Sequence, residues 1–144
     1  MSGNDVTGLF EAALAAQKAA YAPYSGYAVG AALRTASGRV FAGCNVENAS
    51  FPVGICAEAG AISAMIANGE HSIAEMMILG DGEALVTPCG ACRQRIREFA
   101  APETPIHIAG RNGVRASFTQ SALLPHSFGP DNLPANRRDQ GLLS

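Results

Sequence analysis

An α/β layered sandwich is the fold class this sequence predicts, and three observations predict it. Helix-period and strand-period segments alternate along the chain, turn signals separate them at short intervals, and 144 residues suit one domain with a real apolar interior. The expected organisation is a single domain over residues 1–133 and a C-terminal tail over 134–144. Spacing alone does not fix the strand order.

Over residues 6–21 the apolar positions Leu9, Phe10, Ala13, Leu14, Ala16 and Ala20 recur at helical spacing in an Ala-rich stretch. Pro23, Ser25 and Gly26 end that helix. Residues 27–34 read as a strand whose small side chains at Gly30, Ala31 and Ala32 imply close packing by another element. Ser37-Gly38 forms a hairpin turn into a second strand over 39–42. Residues 45–55, polar and small with a proline, form a loop suited to binding. Helical periodicity returns over 56–68 through Ala57, Ala61, Ile62, Ala64, Met65 and Ile66, and Asn68-Gly69 stops it. The apolar run 73–79 suits a buried strand, followed by a polar turn at Gly80-Asp81-Gly82. Pro88 precedes a helix over 89–99 with Ile96 and Phe99 as core contacts. Short strands at 105–109 and 114–118 flank Arg111-Asn112-Gly113, where Asn-Gly favours a tight reversal. An apolar turn at Ala122-Leu123-Leu124 leads into a tail rich in Pro, Asn and Arg.

Apolar residues make up 48% of the chain and charged residues 15%, so much of the surface is apolar or small, as in proteins whose faces are covered by other subunits. A net charge of −2 and a pI near 5.9 lack the concentrated basic face that binding a polymeric nucleic acid requires. Arg93, Arg95 and Arg97 form a local basic set that reads, on a helix, as a solvated face. No segment reaches the roughly 20 apolar residues of a membrane helix. Met1-Ser2-Gly3-Asn4-Asp5 lacks the pattern of a secretory signal, so the expected location is cytoplasmic. In that reducing compartment the four cysteines point to metal ligation or free thiols rather than disulfides.

The chemistry concentrates in Cys56-Ala57-Glu58 at one helix start and Pro88-Cys89-Gly90-Ala91-Cys92 at another. Each alone is weak, since Cys-x-x-Cys also serves redox sites and structural zinc. Together Cys56, Cys89 and Cys92 offer three thiolates to one Zn2+ per subunit, with a fourth position open, and that open position separates catalytic zinc from structural zinc. Both cysteine groups stand at helix N-termini, where free amides and the positive dipole end favour thiolate over thiol. Glu58, two residues beyond Cys56 in a first turn, points to a different side from the sulfur and suits general acid/base work. The alternatives are a closed site with Cys44 as fourth sulfur and a redox dithiol. Cys44 has no second cysteine at knuckle spacing and reads as a buried small residue, while a dithiol leaves Cys56 and Glu58 without a role. His71, His107 and His126 stand at no ligand spacing and read as surface or satisfied core residues.

Taken together, these residues make the chain resemble the cytidine deaminase family, in particular its small homotetrameric form with three cysteine ligands. The resemblance spans residues 21–133. It rests on Ala22-Pro23-Tyr24-Ser25, Val29-Gly30-Ala31-Ala32-Leu33, Gly43-Cys44-Asn45-Val46-Glu47-Asn48-Ala49-Ser50, Cys56-Ala57-Glu58, Pro88-Cys89-Gly90-Ala91-Cys92-Arg93-Gln94 and Leu123-Leu124-Pro125-His126-Ser127-Phe128-Gly129-Pro130, in that order. It implies a three-layer α-β-α sandwich around a mixed five-stranded sheet. It also implies hydrolytic deamination of cytidine and 2′-deoxycytidine in pyrimidine salvage, by a homotetramer with shared active sites. Carried over position by position, it implies that Cys56, Cys89 and Cys92 hold zinc and that Glu58 carries a proton from water to the ring N3 while C4 is attacked and ammonia leaves. Asn45 and Glu47 would hold the ribose 3′-hydroxyl, since an amide and a carboxylate can together donate to it and accept from it. Tyr27 stands where the family often has phenylalanine against the nucleoside, and Phe128 matches an aromatic that stacks on the base. The amide of Ala57 and the backbone around Ala49 would read the pyrimidine edge.

Two positions depart from that pattern. Many relatives carry an arginine after the catalytic glutamate that offsets thiolate charge, where this chain has Ala59 and then Gly60. Three thiolates on Zn2+ leave about one negative charge, and Arg93, next to Cys92, is the expected compensation beside the helix dipoles. Phe51 stands where many relatives have a tyrosine reaching a neighbouring subunit's ligand, which predicts looser discrimination at the ribose. The competing readings are a deaminase of another aminopyrimidine, such as blasticidin S or a free base, and a zinc-stabilised binding module in which Glu58 is dispensable. Asn45 with Glu47 favours a ribose.

Overall fold

The computed structural model describes residues 3–133, with side chains from Val6 onward, and the tail expected at 134–144 lies outside the described residues. Helix α1 (Gly3–Lys18) starts and ends three residues earlier than its periodicity predicts. Ala19 and Ala20 donate to the Ala16 and Gln17 carbonyls in a tighter turn, and Tyr21 has already left to bridge Val46. Leu9, Ala13 and Gln17, at i, i+4 and i+8, form its buried stripe.

Strands β1 (Gly30–Thr35) and β2 (Val40–Cys44) make the expected hairpin, with Gly38 at φ +95° in the turn. β1 begins at Gly30 rather than at residue 27 because a side chain replaces the ladder there. The Asn45 amide accepts from Val29 N at 2.9 Å and donates to Tyr27 O at 2.8 Å. Then follow α2 (Ala57–Ala67), β3 (Ile73–Leu79), α3 (Gly90–Phe99), β4 (Pro105–Gly110), β5 (Gly113–Thr119) and a single turn, α4 (Gln120–Leu123). A 3-10 turn at Phe51–Val53 lies within the loop before α2.

The strands form one sheet in the order β2-β1-β3-β4-β5. β1 runs antiparallel to β2 and β3, β4 is parallel to β3, and β5 is antiparallel to β4. The parallel pair requires a crossover, and α3 supplies it. On one face Leu9 and Ala13 of α1 pack on Ala32, Met77, Leu79 and Ala109. On the other, Ala61, Ile62 and Met65 of α2 and Ile96 of α3 pack on Ala31, Leu33, Met76, Ile78 and Ile108. The molecule is therefore a three-layer α-β-α sandwich around a mixed five-stranded sheet, as expected. Apart from Ala74, every β3 residue is buried, because helices cover both faces.

Two glycines let the helices touch the sheet backbone to backbone. A Cβ on Gly30 would stand 2.0 Å from Ala13 O, and one on Gly43 2.4 Å from Ala61 N and 2.7 Å from Ala57 O. One ionic network crosses the sheet. Glu75, 1% exposed, accepts from Arg34 Nη2 at 2.9 Å and meets His107 Nε2 at 2.7 Å, while His107 Nδ1 lies 2.6 Å from Ser117 Oγ. His107 is thus a half-buried residue with both ring nitrogens in hydrogen bonds. No helix among the described residues is long and apolar enough to cross a membrane.

Candidate active site

β1 begins, and β2 and β3 end, at the same edge of the sandwich, and both α2 and α3 start there. Each helix is capped by a cysteine in extended backbone: Cys56 (φ −81°, ψ 157°) before α2 and Cys89 (φ −64°, ψ 167°) before α3. Cys92 joins them from the first turn of α3. The three sulfur atoms lie within 4.8 Å of one another, and among the described residues they form the one cluster of this kind able to hold a metal ion. Cys44 stands outside it and is half-buried, where the sequence predicts a buried residue, because β2 is the edge strand.

The donor set fits zinc. Soft sulfur ligands with Zn–S bonds of about 2.3 Å suit three gathered cysteines. Burial opposes ionisation of Cys89, but hydrogen bonds from the Cys92 and Ala91 amides and from the neighbouring thiols outweigh it and lower its pKa. Burial raises Cys56 and, more strongly, Cys92, where the negative neighbours Glu58, Cys56 and Cys89 add to it. Three thiolates this close repel one another, so a cation between them is what allows all to ionise together.

Cys56 and Cys89 border a cavity of about 350 Å3, which Glu58 also lines. Glu58 is 4% exposed, and burial pushes its carboxyl above the ordinary value against the opposing pull of its own amide, the Cys92 thiol and the Arg95 charge. A carboxyl that keeps its proton to higher pH, next to three sulfurs able to hold a metal ion, is placed for proton transfer.

Loop 45–55 forms the opposite wall, stitched by the antiparallel bridge between Val46 and Ile55. Asn45 lines the cavity and retains one donor and one acceptor beyond its contacts with Tyr27 and Val29. Glu47 also lines it. Its Oε1 accepts from Tyr24 N at 2.9 Å and Ser25 N at 3.1 Å, and its Oε2 from the Ser25 hydroxyl. The Ser25 hydroxyl, then the Ser25 and Tyr24 amides, hold this carboxyl below its usual range. The remaining wall is the loop between β3 and α3, through Val86, Thr87 and Pro88. Tyr27 Oη donates to Asp81 O at 2.9 Å, and Arg115 donates to Ala84 O and Gly82 O at 3.0 and 2.7 Å, tying that loop down.

Of the other predicted contacts, Ala57 lines the cavity and is buried, and Phe51 lines it from an exposed position. Tyr27, Ala49 and Phe128 are not among its lining residues; Phe128 is 59% exposed.

Arg93, expected to offset the sulfur charge, has other hydrogen-bond partners. Its Nε donates to Pro88 O at 2.7 Å, Nη1 to Leu123 O at 2.8 Å and Nη2 to Thr87 Oγ1 at 2.9 Å, so its guanidinium clamps the loop before α3. Arg95, read from the sequence as part of a solvated face, donates instead to Cys92 Sγ at 3.5 Å. The signal that could have found it is its i+3 spacing from Cys92, which brings both onto one helix face. Arg97 is also engaged, donating to Ser127 Oγ at 2.9 Å.

Comparison with known proteins agrees with this site. The family model described as the cytidine and deoxycytidylate deaminase zinc-binding region matches residues 4–108. A cytidine deaminase of Sporosarcina psychrophila is 36% identical over 129 residues, covering 90% of this chain and 95% of that protein. The crystal structure of a cytidine deaminase from Burkholderia pseudomallei superposes with a TM-score of 0.80 at 40% identity, covering 89% of this chain and 100% of the other. That from Mycobacterium tuberculosis gives 0.73 at 35% identity, covering 85% and 96%. With the fold, the three-sulfur cluster and these matches all in agreement, the chain belongs to the cytidine and deoxycytidylate deaminase family of zinc-binding proteins.

Proposed function

We propose that this protein hydrolyses cytidine and 2′-deoxycytidine to the corresponding uridines with release of ammonia, as a step of pyrimidine salvage. The observation that carries this reading is the placement of the cysteine cluster, buried Glu58 and the Asn45–Glu47 pair around one cavity. Its volume of about 350 Å3 lies in the range of small-molecule sites, about 300–1,000 Å3.

Cys56, Cys89 and Cys92 hold the zinc, which when bound lowers the pKa of a coordinated water to about 7 and so supplies a nucleophile at neutral pH. Glu58 accepts the proton of the attacking water and delivers it to the ring N3 as oxygen adds to C4. Glu58 then takes the proton of the new C4 hydroxyl and hands it to the exocyclic amine, so that the bond from C4 to that nitrogen breaks, ammonia leaves and a carbonyl remains at C4. Asn45 and Glu47 hold the ribose 3′-hydroxyl with hydrogen-bonding capacity left beyond their own loop contacts. The Ala57 amide and the backbone near Ala49 read the pyrimidine edge.

Tyr27 and Phe128 complete the site in an assembled homotetramer, which the exposed aromatic residues Tyr24, Phe51 and Phe128 support. Residues 1–133 act as one domain. The cytoplasm is the location of choice because its reducing conditions keep the three sulfurs available as ligands. Phenylalanine at position 51 relaxes discrimination between the two sugars.

An ultraviolet assay on purified, metal-analysed protein with cytidine, 2′-deoxycytidine and cytosine tests this. The expected result is ammonia release from both nucleosides at comparable rates and none from the free base. Zinc-loaded protein that leaves both nucleosides intact would overturn the activity, and a strong preference for one nucleoside would overturn the role given to Phe51.

A further inference from the structure

The geometry points to Arg95 as the residue that balances the charge of the sulfur cluster in this chain, a role resting on the reading of Cys56, Cys89 and Cys92 as zinc ligands. Three thiolates around Zn2+ carry about one excess negative charge, and a metal so richly supplied with electrons is a poorer Lewis acid. The residue after the glutamate, Ala59, offers no charge of its own.

The other arginines of α3 are committed elsewhere: Arg93 to Pro88, Leu123 and Thr87, and Arg97 to Ser127 and Asp131. Arg95 stands one helical turn beyond Cys92 and donates to its sulfur at 3.5 Å. Cys92 is fully buried, so the acceptor end of this contact is shielded from the screening that weakens charge pairs in open water. The compensating cation thus sits on α3, against the ligand farthest from solvent. Arg95 does not line the cavity and is a positioning residue whose charge tunes the ligand sulfur.

The test measures zinc affinity by competition with a chromogenic chelator, and the sulfur-to-metal charge-transfer bands of the cobalt-substituted protein. Arg95→Gln is expected to weaken zinc binding about 10- to 100-fold. It should also shift the charge-transfer bands to lower energy, because a thiolate without its hydrogen-bond donor gives up charge more easily. Arg95→Lys should fall between that variant and wild type in both readouts. Arg111→Gln, which removes an exposed charge paired with Asp81 at 3.8 Å, should match wild type and so control for net charge. Affinity within about twofold of wild type, with unshifted bands in Arg95→Gln, overturns the proposal. The ligand assignment fails separately: wild-type protein would then bind no zinc, or Cys89→Ser would bind it as tightly as wild type.

Discussion

Glu58 and Glu47 face the same cavity and are driven in opposite directions, one by burial and the other by donors. Glu58→Gln keeps the shape and removes the transferable proton, so zinc content should stay at the wild-type level while kcat falls by about 10²–10⁴-fold. Metal analysis beside steady-state kinetics checks both halves. Glu47 is stabilised as the anion by the Ser25 hydroxyl and two amides, and its folded value lies below the ordinary 4.5. Stability from such a group is fully present above the unfolded value and disappears as pH falls through the folded one. Thermal melts from pH 3 to 7 should therefore show Glu47→Gln less stable than wild type near neutrality, with the gap closing below about pH 4.5. At this scale the sequence exposed the cysteines and Glu58, because those residue types at two helix starts have few other uses. It hid Arg95 behind Arg93. Neighbours in sequence point about 100° apart on a helix, whereas a residue three positions on returns to the same face.

The helix α2 delivers two of the site's groups, Cys56 and Glu58, and its height above the sheet is set by Gly43. An added Cβ there meets Ala61 N at 2.4 Å, a backbone atom that cannot swing aside. Gly43→Ala should therefore lift the start of α2, costing about 1–3 kcal/mol in urea unfolding and weakening zinc retention in the same preparation. A loss of stability with full zinc affinity would show that the helix start does not depend on this contact. Elements were legible where periodicity was strong: β3 falls on the predicted residues and α3 begins within one residue of them. Boundaries slipped where the deciding partner came from elsewhere in the chain, as when the Asn45 amide took the hydrogen bonds that would have extended β1. Strand order was not legible, because a buried pattern shows which faces are covered and not which strand lies alongside.

For the whole molecule the surface is the informative feature. Phe51 is 74% exposed, Phe128 59% and Tyr24 53%, a large apolar display for a chain of this size. Light scattering tests the proposed tetramer, for which a particle of about 59 kDa, four times 14.8 kDa, is expected. Within it Phe128→Ala should raise KM several-fold with zinc content unchanged, and a wild-type KM would remove Phe128 from the site. The layered fold class was legible from alternation alone, but the places of Tyr27, Ala49 and Phe128 rest on the family resemblance, since one chain's own geometry seats none of them in its cavity. The backbone contact at Gly43 also bears on the room a nucleoside finds. Pressed directly against the sheet, the catalytic side of the pocket has no slack to give. The facing segment from Gly80 to Pro88 is held instead by side-chain bonds from Tyr27, Arg93 and Arg115, so a nucleoside meets one wall set by backbone packing and another set by side chains.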